Sequence, residues 1–171
     1  RSHCDWSSDV CSSDLDVSSR FPWAYATKNQ SAESVIECLE DLFTIGGAPQ
    51  IIHSDQGAAF LSKKVKDFLK SYGVHSSKTT PYNPRANGQC ERMNATIWNA
   101  VQTKLADLNL PKSMWESVLP DVLSSIRALQ CTSTGQTPHN LLFGFKRNNT
   151  HILPPNLPAW TQEAGPVFLK N

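Results

Sequence analysis

A short apolar run followed by an acidic turn occupies residues 50–57, which read QIIHSDQG. The run predicts a short buried strand, and Gly57 lets the backbone turn away after it. Polar side chains that follow the strands of an α/β sheet are where ligands bind. Asp55 is therefore the first candidate functional residue, although a simple turn aspartate or helix cap has the same local pattern.

The sequence on both sides of this run alternates between strand and helix patterns. A strand, a bend at Pro22 and a second strand are predicted within residues 16–27. Ser31 and Ser62 are typical helix N-caps, each followed by apolar residues at helical spacing. This alternation predicts an α/β layer structure.

The region after residue 77 predicts a loop and two further helices. Residues 78–88 are rich in Pro, Asn and Gly, which indicates a loop. A long helix is expected from about residue 89 to 108, and another from Ser113, where Ser113 and Glu116 match a capping box and Pro120 introduces a kink.

Glu91 is the second candidate functional residue. It shares spacings of three and four with Asn94, Trp98, Val101, Leu105 and Leu108. This pattern predicts that Glu91 points inward, where a carboxylate needs a partner or a metal. A first-turn glutamate favoured by the helix dipole is the simpler alternative. Together with Asp55, it suggests a site for a hard cation, Mg²⁺ or Mn²⁺.

Composition limits the classes of function. The 171 residues are 39% hydrophobic and 18% charged, with a mean hydropathy of −0.37 and a net charge of +1. These values predict one domain with a core, no membrane span and no bulk charge signal for nucleic acid. Cys38, Cys90 and Cys131 show no spacing of a disulfide framework or zinc site, which favours a reducing compartment.

Residues 1–15, RSHCDWSSDVCSSDL, look foreign to the rest of the chain. They have neither helical nor strand periodicity and resemble a translated sequencing adapter, so we exclude them from the fold prediction. Without Arg1 and the three aspartates of this segment, the net charge becomes +3. We expect a core over residues 16–147 and an extended Pro-rich tail over residues 148–171.

Several motifs together resemble retroviral and gypsy-type retrotransposon integrases. Residues 53–60, HSDQGAAF, resemble the second-aspartate motif, and residues 78–94, KTTPYNPRANGQCERMN, resemble the third motif. Residues 56–90 separate Asp55 from Glu91, and this spacing of 35 residues is typical of the family. STGQTP at residues 133–138 and LFG at residues 142–144 resemble the end of the same domain.

The resemblance implies a ribonuclease-H-like mixed sheet flanked by helices. In such enzymes an Asp, Asp, Glu triad binds two Mg²⁺ ions. The enzyme nicks the ends of the element's DNA and then joins these ends to target DNA. Carried over, Asp55 and Glu91 are catalytic metal ligands, and Tyr82, Asn87 and Asn94 contact DNA. DNA is then the partner, a homo-oligomer is expected, neither a membrane nor a small-molecule substrate is involved, and the location is the nucleus.

The first aspartate of the family pattern is missing. Asp16 matches a later, non-catalytic position, so the first strand and its carboxylate are predicted to be absent. The implied consequence is a chain that is inactive as a DNA transferase. Lys78, Arg85 and Arg92 flank the predicted metal site and are expected to contact phosphates.

Other interpretations remain open. The lysines on the second helix are expected to form a solvated face; they are Lys63, Lys64, Lys66 and Lys70. A domesticated or decayed core could bind DNA or protein without catalysis. A two-carboxylate glycosidase is a third possibility, but nothing in residues 78–88 supports it.

Overall fold

This computed structural model describes residues 10–27, 29–54, 57–78 and 84–145. The described strands are β1 (Val10–Leu15), β2 (Pro22–Thr27), β3 (Ile51–Ser54) and β4 (His75–Lys78). The described α-helices are α1 (Ala32–Gly46), α2 (Ala58–Leu61), α3 (Lys63–Ser71), α4 (Pro84–Asp107), α5 (Trp115–Ala128) and α6 (Pro138–Phe143). Strands and helices alternate along the first half of the chain, which confirms the α/β prediction.

The four described strands form two pairs. β1 is antiparallel to β2, with Val10 opposite Thr27, and β3 is parallel to β4, with Ser54 opposite Lys78. Both strand orientations are therefore present, as expected for a mixed sheet. Among the described residues, no strand joins the two pairs.

β1 lies earlier in the chain than the sequence predicted. Residues 10–15 form the strand, whereas residues 16–21 form the turn that leads into β2. The letters VCSSDL carry no alternation, but β2 offers a continuous row of backbone partners. Pairing with a neighbour, rather than intrinsic preference, sets this strand.

The caps of α1 and α3 confirm the sequence prediction. The hydroxyl of Ser31 accepts a hydrogen bond from the Ser34 amide at 3.2 Å, and that of Ser62 accepts one from the Val65 amide at 3.3 Å. Gly47 ends α1 with a φ of 79°, and its amide donates to the Phe43 carbonyl at 3.0 Å. Each side-chain cap satisfies a helix amide that would otherwise lack a partner.

In the part of the chain that the structure describes, two hydrophobic clusters form the core. One joins α1 and α3 to the β3–β4 pair, with buried Val35, Leu39, Phe43, Val65, Leu69 and Val74. The other joins β2, α4 and α5, with buried Ala24, Ile97, Val101, Leu105, Trp115, Val118, Leu119, Val122 and Leu123. Trp98 packs against the second cluster, so Trp98 and Trp115 are both core residues, as predicted.

β3 is less buried than predicted. Ile51 is 52% exposed and His53 is also exposed, whereas Ile52 packs against the first cluster and Ser54 is buried. Strand alternation sends Ile51 and His53 to one face and Ile52 and Ser54 to the other. Among the described helices, those that pack on β3 cover the face of Ile52 and Ser54. The neighbouring isoleucines Ile51 and Ile52 therefore did not indicate a fully buried strand.

Three helix predictions need correction. α4 begins at Pro84 rather than near residue 89, because proline fits the first turn of a helix. Ser113 lies in a 3₁₀ turn, and α5 begins at Trp115 without a side-chain cap, so the capping box of Ser113 and Glu116 is wrong. α6 was not predicted, although Thr137 caps it through the Asn140 amide at 3.2 Å.

α4 is the longest described helix, with 24 residues. Neither α4 nor any other helix in the described ranges is long and apolar enough to cross a membrane. The predicted tail over residues 148–171 lies outside the described residues.

Candidate metal and nucleic-acid site

Glu91 lies in the first third of α4, and its side chain is exposed. The prediction that it points inward is therefore wrong. At 100° per residue, Glu91 lies about 80° around the helix from Val101, which is completely buried. Residues spaced by three and four along a helix cover a broad arc of its surface, so they do not all face the core. The buried face of α4 contains Ile97, Val101 and Leu105 and does not extend to Glu91.

The carboxylate of Glu91 is open to solvent and to a ligand. Among the side chains that the structure describes, no Lys or Arg lies within ion-pair distance of it; the described ion pair joins Lys64 to Glu33 on other helices. A carboxylate without a cationic partner can offer hard oxygen atoms to Mg²⁺ while the ion keeps several waters. Glu91 thus fits one half of the predicted metal site.

Asp55 lies outside the described residues, so its approach to Glu91 stays a prediction. The described backbone ends at Ser54 and resumes at Gly57. Because β3 and β4 are parallel, Ser54 lies beside Lys78, and both strands leave the sheet at the same edge. Within the described residues, no group of three His, Cys, Asp or Glu side chains is placed to hold a metal.

The predicted DNA-contacting residues divide into two groups. Arg92 is exposed and Asn94 is half-buried one turn after Glu91, so both are placed near that carboxylate along α4. Tyr82 lies outside the described residues, as do the side chains of Lys78, Arg85 and Asn87. Arg92 and Asn94 therefore lie close to Glu91 on α4. The DNA contacts of the other four residues stay predictions.

The lysines of the second predicted helix behave as a solvated face. Lys63, Lys64, Lys66 and Lys70 are exposed. Lys64 donates to Glu33 of α1, and this contact lowers the pKa of that carboxyl. Their interpretation as solvated residues is confirmed.

Asp16 has a structural role in the β1–β2 turn. Its Oδ2 accepts hydrogen bonds from the Ser19 amide at 2.7 Å and the Ser19 hydroxyl at 2.5 Å. The Asp16 amide donates to the Phe21 carbonyl at 3.0 Å, which closes the turn. This engagement agrees with the assignment of Asp16 to a non-catalytic position.

Asp14 is a second acidic residue of the β1–β2 hairpin and lies in β1. Burial raises its pKa to about 6. Burial, together with nearby charges that include Asp14, raises the pKa of Cys38 to about 11 and that of Tyr25 to about 12. Its desolvation makes Asp14 costly to ionise.

Sequence reasoning missed one contact in the Glu91 region. The guanidinium of Arg20 donates to the side-chain oxygen of Gln89, two residues before Glu91. The two residues are 69 positions apart, so no local pattern could have indicated the contact.

Comparison with known proteins decides the family. The integrase core domain family matches residues 10–84, which span β1 to the start of α4 and include Asp55. This chain carries an integrase core domain. The match also includes residues 10–15, which form β1 in the structure.

Retroviral polyproteins are among the relatives of this integrase core. The chain is 37% identical over 134 residues to the Pro-Pol polyprotein of Simian foamy virus type 3 (strain LK3), covering 78% of the chain and 11% of the relative. It is 32% identical over 139 residues to the Gag-Pol polyprotein of Walleye dermal sarcoma virus, covering 81% of the chain and 8% of the relative. The chain thus spans about a tenth of the length of these polyproteins.

Solved structures confirm the fold. The HTLV-2 integrase catalytic core domain in complex with magnesium, in its trimeric form, matches with a TM-score of 0.67 and 24% identity, covering 78% of this chain and 84% of that one. A chain of the simian T-cell lymphotropic virus intasome in complex with PP2A regulatory subunit B56 gamma matches with a TM-score of 0.70 and 24% identity, covering 95% and 54%. The integrase core described here therefore has the ribonuclease-H-like fold that the resemblance implied.

Proposed function

We propose that this chain is part of a DNA-integrating polynucleotidyl transferase, with Asp55 and Glu91 as ligands of Mg²⁺ or Mn²⁺. The observation that carries the proposal is the integrase core match over residues 10–84, which includes Asp55 and leads into the helix that bears Glu91. The exposed carboxylate of Glu91, with no described cationic partner, supports its role as a ligand. The magnesium complex of a structural neighbour favours the same ion here.

The surrounding residues would bind and orient DNA. Arg92 is exposed beside Glu91 and supplies a positive charge for a phosphate, a role that we also give to Lys78 and Arg85. Asn94 lies one turn further along α4 and, with Tyr82 and Asn87, would contact nucleotides next to the metal. Asp55 and Glu91 would hold the metal, which would supply Lewis-acid chemistry at the scissile phosphate of an integrase.

We further propose that this 171-residue chain does not catalyse strand transfer, because it lacks the first aspartate of the triad. Asp16 is engaged by Ser19 in the hairpin turn, and burial raises the pKa of Asp14 to about 6. Neither arrangement supports a third metal ligand from these two residues. One ion held by Asp55 and Glu91 is then the expected stoichiometry, rather than two.

The cellular setting is part of the same proposal. The relatives reported above are retroviral, and an origin in a gypsy-type retrotransposon stays a prediction. DNA ends and target DNA would be the partners, a second copy of the chain would join the assembly, and a nuclear location follows from that role. The intasome and the oligomeric core structures among the neighbours support these partners.

Metal binding by the purified chain tests the ligand assignment. We expect Mn²⁺, followed by electron paramagnetic resonance, to bind with one ion per chain. Asp55→Asn or Glu91→Gln should weaken binding about tenfold or more, since each removes a direct ligand. Glu116→Gln, at an exposed position on α5, is the matched control and should bind Mn²⁺ normally. Unchanged binding in both ligand variants would contradict the assignment.

Labelled DNA separates the proposed enzyme core from a decayed one. Metal-dependent DNA binding that Asp55→Asn weakens would support the integrase proposal. Binding that is independent of Mn²⁺ and of Asp55 would favour a domesticated or decayed domain instead. Strand-transfer products from the 171-residue chain that disappear in Glu91→Gln would show that the chain is active without the missing aspartate.

A further inference from the structure

We infer that Arg20 is a positioning residue: through Gln89 it holds the first turns of α4, and so Glu91, against the β1–β2 hairpin. This inference rests on the proposed function, because it concerns the geometry of a proposed metal ligand. It goes beyond that function by giving a role to a residue of the hairpin turn.

Burial along α4 is uneven. From residue 88 to residue 96 every described side chain is exposed or half-buried, and the first fully buried one is Ile97. Met93 is half-buried and packs against the α4–α5 cluster, so Glu91 and Arg92 lie on a partly anchored stretch of the helix, ahead of its fully buried residues. A helix segment with few buried contacts opens locally at low cost in free energy, so this segment needs contacts of another kind.

A hydrogen bond joins the β1–β2 turn to the start of α4. The guanidinium of Arg20 donates to the side-chain oxygen of Gln89, and both side chains are half-buried. A hydrogen bond to a charged donor is among the stronger contacts available to a partly exposed side chain. Gln89 lies about 200° around the helix from Glu91, so the contact holds the helix from its opposite side and leaves the carboxylate open.

The turn that carries Arg20 is held by several hydrogen bonds. Arg20 has a φ of 62°, a left-handed conformation that a residue with a side chain adopts at some cost. Asp16 holds the turn in that shape through three contacts: its carbonyl accepts from the Arg20 amide at 2.8 Å, and its carboxylate accepts from the amide and hydroxyl of the buried Ser19. These hydrogen bonds restrict the backbone from which the Arg20 side chain reaches Gln89.

Hydrogen exchange tests the anchoring step. In Arg20→Met and in Gln89→Leu, amides of residues 88–96 should exchange about tenfold faster, and the double variant should behave like either single one. Arg20→Lys should restore part of the protection because it keeps a donor. Lys66→Ala, at an exposed position on α3, is the control and should leave α4 unchanged. Equal protection of these amides in all variants would overturn the inference.

Mn²⁺ affinity tests the consequence for the site. We expect Arg20→Met and Gln89→Leu to weaken Mn²⁺ binding about tenfold, as loss of an outer-shell contact does, with partial recovery in Arg20→Lys. If the unmodified chain binds Mn²⁺ and these variants bind equally well, the positioning role is wrong and the proposed function stands. If the unmodified chain binds no Mn²⁺, the metal assignment fails and the positioning role fails with it.

Discussion

The guanidinium of Arg127, near the end of α5, donates from Nε and Nη2 to the carbonyl oxygen of Pro22, at 3.1 and 2.9 Å, across 105 positions of sequence. The same guanidinium lies 4.4 Å from the ring centroid of Phe21 and 5.6 Å from that of Trp23. The Arg127 side chain thus donates to the carbonyl of Pro22, the first residue of β2, and also contacts the rings of Phe21 and Trp23 on either side of that proline.

Arg127→Lys should destabilise the fold by about 1 to 3 kcal/mol, because an ammonium cannot make the paired hydrogen bonds or stack flat on a ring. Urea unfolding followed by tryptophan fluorescence measures the change. Arg92→Lys, on an exposed part of α4, should change the free energy of unfolding by less than about 0.5 kcal/mol. Similar losses in both variants would contradict a special role for Arg127.

Asp14 should make stability depend on pH. Its pKa is raised from 3.8 to about 6 in the folded chain, so the folded state binds a proton more tightly than the unfolded state does. Stability should therefore fall as the pH rises from about 4 to above 6, by up to about 3 kcal/mol from this residue alone. Asp14→Asn cannot ionise and should remove this part of the pH dependence.

The test is to measure the free energy of unfolding of the unmodified chain and of Asp14→Asn at several pH values between 4 and 8. Asp107→Asn, at the exposed end of α4, is the control and should keep the pH dependence of the unmodified chain. A slope that survives in Asp14→Asn would show that another group is responsible.

Two glycines should respond to alanine in opposite directions. Gly47 ends α1 with a φ of 79° and a ψ of 161°, a region that essentially only glycine occupies, so Gly47→Ala should cost about 1 to 3 kcal/mol. Gly88 lies inside α4, and none of the described atoms outside its own helix backbone and chain neighbours lies within 4 Å of where a Cβ would be, so Gly88→Ala should stabilise the fold by about 0.5 to 1 kcal/mol. Thermal unfolding of both variants would show the contrast, and a stabilising Gly47→Ala would contradict it.

Cys131 should react with alkylating agents faster than Cys38 does. Hydrogen bonds from Ser133, whose hydroxyl lies 3.1 Å from the sulfur, lower the pKa of Cys131, whereas burial raises that of Cys38 to about 11. The thiolate is the reactive form, so iodoacetamide at pH 7.5 should label Cys131 more than about tenfold faster. Peptide mapping by mass spectrometry follows both residues, and Ser133→Ala should slow the labelling of Cys131 alone.

The sequence predicted those features that depend on a few neighbouring residues. Ser31 and Ser62 cap their helices, and Gly47 ends α1, because each makes its contact within one helical turn. The failure at Ser113 has the same local origin: a 3₁₀ turn occupies the position where the cap was expected. Local rules hold where no alternative local structure competes with them.

Features set by distant partners could not be predicted. β1 exists because β2 pairs with it, and the exposure of Ile51 depends on which face of β3 the helices cover. The outward orientation of Glu91 depends on where α4 meets α5, which the spacing of its apolar residues indicated only within a broad arc. The role of Asp55, by contrast, was inferred from motif spacing and stays a prediction.

The separation of the hydrophobic core into two clusters has a consequence for how the protein loses structure. The cluster around Leu39 and Val65 and the cluster around Val101 and Trp115 share no residue. Each is expected to melt as its own cooperative unit, with α1 as the element that couples them, because α1 packs on both α3 and β2. Damage confined to the β3–β4 half would then leave the α4–α5 pair folded, and a partly melted protein would still present Arg92.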